Sequence, residues 1–516
     1  MSVTKFLIRK NQYYDSVFLM GINKGLLGVP GVIESAVLMG TENNKKLLTN
    51  IHIVNDEINQ SSANDLIVAV IAETESSAAD AFAKLDVLLV NSDLQSTEVK
   101  VRTQSDGLRK LPTANLAVIS VPGEFAAREA KKALENDLNV FLFSSNVSVK
   151  DELELKHLAL EKNLLLMGPD CGTSIIGGKG IGFANRVRRG SVGVIGPSGT
   201  GIQEFTCLMH NSGLGISHAI GTGTRDLVDD IGGITTFMAL NQLEQDPQTE
   251  VVVIVSKPAG PRTLLSLIER ATKYRKPLIG CFLGISTDQL RESEMIGIVD
   301  TVDDAARMAL QVLQHESDFM QIEMDEVRIQ QEASNLLPGQ KYLRGLFAGG
   351  TFCYQSQQIL AKDGHELYSN EPLPRMKKLP DPEKSIAHSL IDMGDEYFTT
   401  GKPHPMLDGT MRAIRILEEG RDPETAIILL DFILGFNSSN DPVGEALESI
   451  IEVQRSAELE NRHVVFVASI TGTDEDPQDL QLQKKMLVDA GVIVFPSNAS
   501  AAAFCSRLLN EMEKLS

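Results

Sequence analysis

The 516-residue chain is expected to be α/β: serial doubly wound (Rossmann-like and flavodoxin-like) parallel-sheet modules with an N-terminal α+β domain. Three observations predict this. NLAVISVP, VVVIVSKPAG and AIILLDFILGF are continuous runs of Val, Ile and Leu, as parallel strands buried on both faces are. Each is followed by a segment with helical spacing. Glycine-rich turns fall at the ends of such runs, where open α/β sheets bind ligands.

Residues 1–105 form the exception. KFLIR reads as a strand, Tyr13 to Leu26 has helical spacing, VIESAVLMG and DLIVAVIAE are strands, and Ser76 to Leu88 is a second helix. An ACT- or ferredoxin-like sandwich fits that order, with no function legible. Residues 106–190 run from NLAVISVP through EFAAREAKKALEN, NVFLFSS and KDELELKHLALEKN to LLLMGPDCGTS, a Rossmann-like module. Residues 191–320 begin at SVGVIGPSGTG and pass PLIGCFLG to a helix ending near Leu313. The charged stretch 314–340, closed by Pro338 and Gly339, reads as a helical linker. The last module, 341–516, holds YLRGLFAGGTF, a proline-rich excursion (EPLPRMKKLPDPE), HVVFVASITG and VIVFPS.

Composition narrows the function. Hydrophobic residues at 42% and charged residues at 23% suit several ordinary cores. A formal charge of −21 repels phosphate backbones and anionic lipid, so neither nucleic acid nor membrane is an expected partner. No apolar run reaches the roughly 18 residues of a membrane helix, and the N-terminus has no apolar signal core. The five cysteines have no CxxC pair and the nine histidines no HxxxH spacing, so a reducing cytoplasm without a metal site is expected.

An anion site on such a chain has to come from backbone amides and a few placed cations. In GPSGTGIQEF, glycines 196, 199 and 201 leave amides unobstructed, Ser198 and Thr200 offer hydroxyls, and the helix dipole favours negative charge. LFAGGTFCYQ repeats the design with Gly349, Gly350 and Thr351. An ordinary βα turn with an N-cap uses the same residues; two such turns are of interest because both can point at one anion. MGPDCGTS brings Asp170 and Cys171 to a strand end, where the plain alternatives are a capping aspartate and a buried thiol. TTGKPHPMLDGT holds Lys402, His404 and Asp408 in a proline-braced loop that is either solvated surface or a rigid presentation of a titratable group.

These loops, in this order, resemble the α subunit of succinyl-CoA synthetase and related NDP-forming acyl-CoA synthetases. The likeness runs from about Asn115 to Leu313 through VPGEF, MGPDCGTS, GVIGPSGTG and GTGTRDLVDDIGG. GLFAGGTFCYQ and DAGVIVFPSNASAAA resemble the C-terminal domain of that enzyme's β subunit, so the resemblance implies that 106–190 is a CoA-binding-like Rossmann domain, 191–320 an α-like ligase domain and 341–516 a β C-terminal-like domain. The whole order, with DMGDEYFTTGKPHPMLD, is similar to the FdrA family. The resemblance implies a phosphate cradle of Ser198, Gly199 and Thr200 with Gly349, Gly350 and Thr351, and CoA contacts at Pro122, Gly123 and Cys171. It also shows departures. The strand PLIGCFLG is followed by ISTDQLRESEMIG, which lacks the histidine that such enzymes phosphorylate, and Lys257 stands where its partner glutamate would be. An ATP-grasp segment is missing too. The implied function is an FdrA-type subunit of a phosphate-dependent acyl or carbamoyl transfer enzyme (oxamate carbamoyltransferase-like), exchanging a carbamoyl group between a ureido acid and phosphate. Lys257, His404, Lys402 and Asp170 are its candidate catalytic groups. The alternatives are an NDP-forming acyl-CoA synthetase that uses CoA and a partner for the nucleotide, and a non-catalytic scaffold. Expected partners are a small carboxylic or ureido acid, phosphate and other subunits of a hetero-oligomer.

Overall fold

The computed structural model describes residues 3–12, 14, 16–41, 44–45, 48, 55–93, 101, 103–285, 297–317, 324–374, 376–400 and 402–515. They divide into two units, Met1–Leu111 and Pro112–Ser516.

In the first unit, strand Leu66–Ala72 lies between antiparallel Val3–Arg9 and Val32–Met39. Its sequence LIVAVIA is apolar throughout because the pleat sends side chains to two covered faces. Leu66, Val68 and Val70 meet Leu19, Ile22 and Leu26 of helix Ser16–Leu27, together with Ala78, Ala81 and Leu85 of helix Glu75–Asp93. Ile67 and Ala69 pack on Leu48 and Ile58 instead. A third strand lodged between the first two is the order of a ferredoxin-like sheet.

Among the described residues, the second unit holds three sheets. Leu116–Ile119, Asn139–Leu142 and Leu166–Met167 make a small parallel one. A seven-stranded sheet runs Gly297–Val299, Leu278–Phe282, Val251–Ser256, Arg189–Gly196, Ile216–Gly221, Thr173–Ile176, Lys179–Gly182. The other seven-stranded sheet is wholly parallel, with Tyr342–Phe347 between His388–Asp392 and Thr425–Ile433. No helix among the described residues is long and apolar enough to cross a membrane.

Strand pairing moves two expected divisions. The hairpin Thr173–Gly182 pairs antiparallel with Ile216–Gly221, so residues 173–182 belong to the sheet that follows residue 190, not to the module before it. The stretch 314–340 is not a bare linker. Its helix Glu326–Asn335 sends Ile329 and Ala333, one turn apart, into the core of the third sheet.

Helix Gly199–Asn211 is buried from Gly201 to His210, which is what a helix packed on all sides requires. Polar ties fix it and its surroundings to the last module. Asn185 Nδ2 donates to Asp476 Oδ2 at 2.7 Å, and the Asn498 amide donates to Glu204 Oε1 at 2.7 Å. Burial, reinforced by Asp303, pushes the Glu204 carboxyl up to about 8. A carboxyl raised in the folded state supports stability at low pH and loses that support as pH rises through its folded pKa. Wild type should therefore lose stability between about pH 5 and 8, by up to about 1.4 kcal/mol per unit. Glu204→Gln should flatten that slope in urea titrations repeated across pH, and an unchanged slope would refute the assignment.

Candidate functional site

Two strand ends set the site. Arg189–Gly196 leads into helix Gly199–Asn211, and Tyr342–Phe347 leads into helix Gly350–Lys362. Ser198 caps the first helix by accepting from the Gly201 amide at 3.1 Å. Gly349 caps the second without a side chain, and its place is taken by Asp431, which accepts from the Ala348 amide at 2.7 Å and the Gly349 amide at 2.9 Å. Asp431 is fully buried; desolvation raises its carboxyl while Arg412, with Nη1 3.2 Å from Oδ1, opposes the rise.

The two helix starts meet. Ser198 Oγ and Thr351 Oγ1 share a hydrogen bond although 153 residues separate them, and both side chains are buried. Gly201 permits this approach, because a methyl group there would lie 3.1 Å from Thr351 Cγ2. Among the described residues, the amides of Gly199, Thr200, Gly350 and Thr351 have no partner within the protein. Such first-turn amides bear the positive end of the helix dipole. Gly199, Thr200 and Gly350 are partly exposed, so the spot is open to a ligand.

Lys257, just beyond strand Val251–Ser256, joins them. Its Nζ lies 5.5 Å from the centre of the Tyr354 ring, and a methyl on Gly350 would be 3.2 Å from that nitrogen. The same methyl would collide with Asp392 Oδ2. Asp392 ends strand His388–Asp392 and is 5% exposed. Its Oδ1 accepts from the Gly394 amide at 2.9 Å, while Asn370 holds its backbone on both sides. Burial pushes its carboxyl up to about 7, with Lys257 pulling the other way.

His404 closes the edge. A methyl on Gly394 would sit 2.7 Å from His404 Nε2 and 3.2 Å from Asp392 Oδ1. Desolvation pushes the imidazole down to about 4 against the pull of Asp170, so the ring is neutral at physiological pH. The Met406 amide donates to Nδ1 at 3.2 Å, which leaves the proton on Nε2. His404 can therefore donate a hydrogen bond but brings no charge.

The structure thus gathers Ser198, Gly199, Thr200, Gly349, Gly350, Thr351, Lys257 and His404. Asp170 is exposed, in the left-handed region at φ 55°, and accepts from Thr224 Oγ1; its field reaches His404. Lys402 is not in the site: it is exposed and its side chain has no ion pair or hydrogen bond among the described residues. Cys171 is sealed at 2% exposure, its thiol pushed up to about 12, so it offers a cofactor no contact. Pro122 and Gly123 open helix Gly123–Glu135, but the carbonyls of Ser145 and Asn146 back Gly123 and Glu124 occupies the first turn. The segment corresponding to the phosphohistidine loop, 286–296, lies outside the described residues.

Asp392 and Asp431 were not singled out from sequence. Asp431 had a usable signal, an acid inside the apolar run AIILLDFIL, since a charge in a buried strand has to be paired. Asp392 closes the run SLID before a glycine, a weaker mark.

Family models match three stretches of the chain, and the CoA binding domain among them falls almost wholly beyond residues 106–190. Residues 346–508 match the CoA-ligase family and residues 187–274 the CoA binding domain, the latter within the segment 191–320 for most of its length. Residues 1–105 match a domain described as AllF, heavy metal-associated; they contain no cysteine and one histidine, so the thiolate pair that soft metals favour cannot form there. The α subunit of malate–CoA ligase from Methylorubrum extorquens is 30% identical over 206 residues, 38% of this chain and 68% of that one. A structure of ATP citrate lyase from Methanothrix soehngenii, with citrate and coenzyme A, aligns at 13% identity and a TM-score of 0.37, over 80% of this chain and 85% of that one. The Escherichia coli protein YahF, itself uncharacterized, is 42% identical over 517 residues, the whole of both chains. With YahF matched end to end and the malate–CoA ligase α subunit over two thirds of its length, this chain belongs to the YahF family of CoA-ligase-type proteins.

Proposed function

We propose that this chain is a phosphate-handling acyl-transfer subunit, which moves an acyl group between an activated donor and a phosphate held by the Gly199 and Gly350 helices. The observation behind this reading is the Ser198–Thr351 contact, which sets unpaired amides from two modules beside Lys257. A phosphate oxygen attacking an acyl carbon needs placement and neutralised charge more than covalent help. Amides and an ammonium supply both, and neutral His404 can donate to an oxygen of the anion or of the acyl group.

The substrate class is a small carboxylic acid, in keeping with a relative whose name joins malate to CoA. CoA would contribute a thiol that carries the acyl group as a thioester. That relative is an α subunit, which agrees with a second chain as partner here, supplying the nucleotide chemistry. A narrower reading has the same site pass a carbamoyl group between a ureido acid and phosphate. Lys257 serves either reading, because a cation suits free phosphate better than a phosphohistidine relay.

The protein, purified with its natural partners, should be given phosphate with acetyl-, succinyl- or malyl-CoA, or with oxalurate. Hydroxylamine trapping should then detect an acyl or carbamoyl phosphate. CoA dependence separates the two readings. A hydroxamate yield that neither the protein nor phosphate raises above the donor's own background, with every donor, would reject both and favour a scaffold.

A further inference from the structure

We infer that Asp392 is the proton acceptor of the anion site: it selects an anion that arrives carrying a proton, and it takes that proton when a phosphate oxygen attacks an acyl carbon. This rests on the phosphate reading above and deepens it.

The geometry comes first. Asp392 Oδ1 is committed to the Gly394 amide, whereas Oδ2 has no described hydrogen-bond partner and faces Gly350, whose own amide is also unpartnered. An anion seated on the Gly350 amide therefore has the free oxygen of a largely buried carboxyl against it. Two acceptors without a proton between them repel, and a buried mismatch of that kind is expensive. Hydrogen phosphate resolves it by donating its P–OH to Oδ2. Sulfate matches its shape and charge but has no proton to give at neutral pH.

The groups that face Asp392 leave it as the one that titrates usefully. Lys257 lowers its proton affinity, and Asp395 and Glu371 raise it. On the Gly350 helix, burial holds Cys353 and Tyr354 protonated. His404 is kept neutral. A base whose pKa lies near 7 is well matched to phosphate, whose own second ionisation is close by.

The step balances as follows. The P–OH proton passes to Asp392 Oδ2, and the freed oxygen pair forms the O–C bond to the acyl carbon of a thioester or ureide. The bond from that carbon to sulfur or nitrogen breaks, its pair leaves with the heteroatom, and Asp392 returns the proton there. The products are an acyl phosphate and a neutral thiol or amide.

The test uses the full chain and two inorganic probes, phosphate and sulfate, titrated by calorimetry at pH 6 and pH 8.5. Wild type should prefer phosphate by about tenfold or more at the higher pH, a difference of about 1.4 kcal/mol, and the preference should shrink at pH 6 as Asp392 protonates. Asp392→Asn, nearly isosteric and able to donate, should bind both ions with a ratio near one at either pH. A second measurement needs no variant: repeating wild type at pH 7.5 in buffers of different ionisation enthalpy should show proton uptake with sulfate and less with phosphate. Phosphate bound with an unaltered preference in Asp392→Asn, or equal proton uptake for both ions, would overturn the inference. Failure of wild type to bind either ion would reject the anion site itself, and the inference with it.

Discussion

Lys257→Glu should weaken phosphate binding by about 100-fold or more, and Lys257→Ala by about tenfold. At an effective dielectric near 20, a unit charge about 4 Å from an anion is worth roughly 4 kcal/mol before desolvation. The lysine is partly exposed, so solvent discounts that figure. Alanine leaves the four amides in place; glutamate adds repulsion and sets a second acid beside Asp392. Calorimetry at low and high salt reads both variants, and the gap between them should narrow as salt rises. Equal affinity in wild type and Lys257→Glu would place the cation elsewhere. It would also remove the electrostatic case against a phosphohistidine relay.

Lys156→Met should destabilise the second unit by about 3–5 kcal/mol. Lys156, on helix Val149–Lys162, is fully buried and joins the small sheet to the next module, donating to Thr222 O at 3.0 Å, Thr235 Oγ1 at 3.1 Å and the Asp226 carboxylate. Glu152 lies 3.5 Å away, its carboxyl raised by burial and drawn back by Lys156 and Arg225. Removing the lysine strands Asp226 in a dry interior, with only the Thr235 and Thr236 amides and the Thr236 hydroxyl to hold it. Lys156→Met with Asp226→Leu should recover part of the loss. Urea midpoints measure all three proteins, and a single-variant loss under about 1 kcal/mol would mean that those donors suffice.

Much of the fold was legible because buried parallel strands have to be long in Val, Ile and Leu, and glycine-rich turns have to follow them. What local pattern cannot reveal is a partner far along the chain. TSIIGGKGIG is a short hairpin whose place is decided by Ile216–Gly221, some forty residues later. Helix Glu326–Asn335 shows one narrow apolar stripe, Ile329 and Ala333, which reads as solvated until helix Asn498–Leu515 covers it. The site divided along the same line. Both cradle turns were readable as separate loops, and Lys257 was reached through a resemblance. Lys402 and His404 looked alike in a proline-braced loop, yet one is exposed and the other lies against Gly394, a distinction made by tertiary contact alone. Asp392 was hidden in plain view, since an acid at a strand end is ordinary until an unpaired helix start faces it.

On the proposed function, the hydroxyl bridge between Ser198 and Thr351 would make the anion a fastener as well as a substrate. Neither hydroxyl needs the peptide between residues 314 and 325 to find the other; the burial and the polar ties around Glu204 and Asn185 already hold the seam. A chain nicked in that stretch would behave as two subunits. Phosphate at 100 times its Kd would tighten their association by about 2.7 kcal/mol, close to a hundredfold in affinity, if it binds only the joined form. Substrate supply would then govern how firmly the halves stay together.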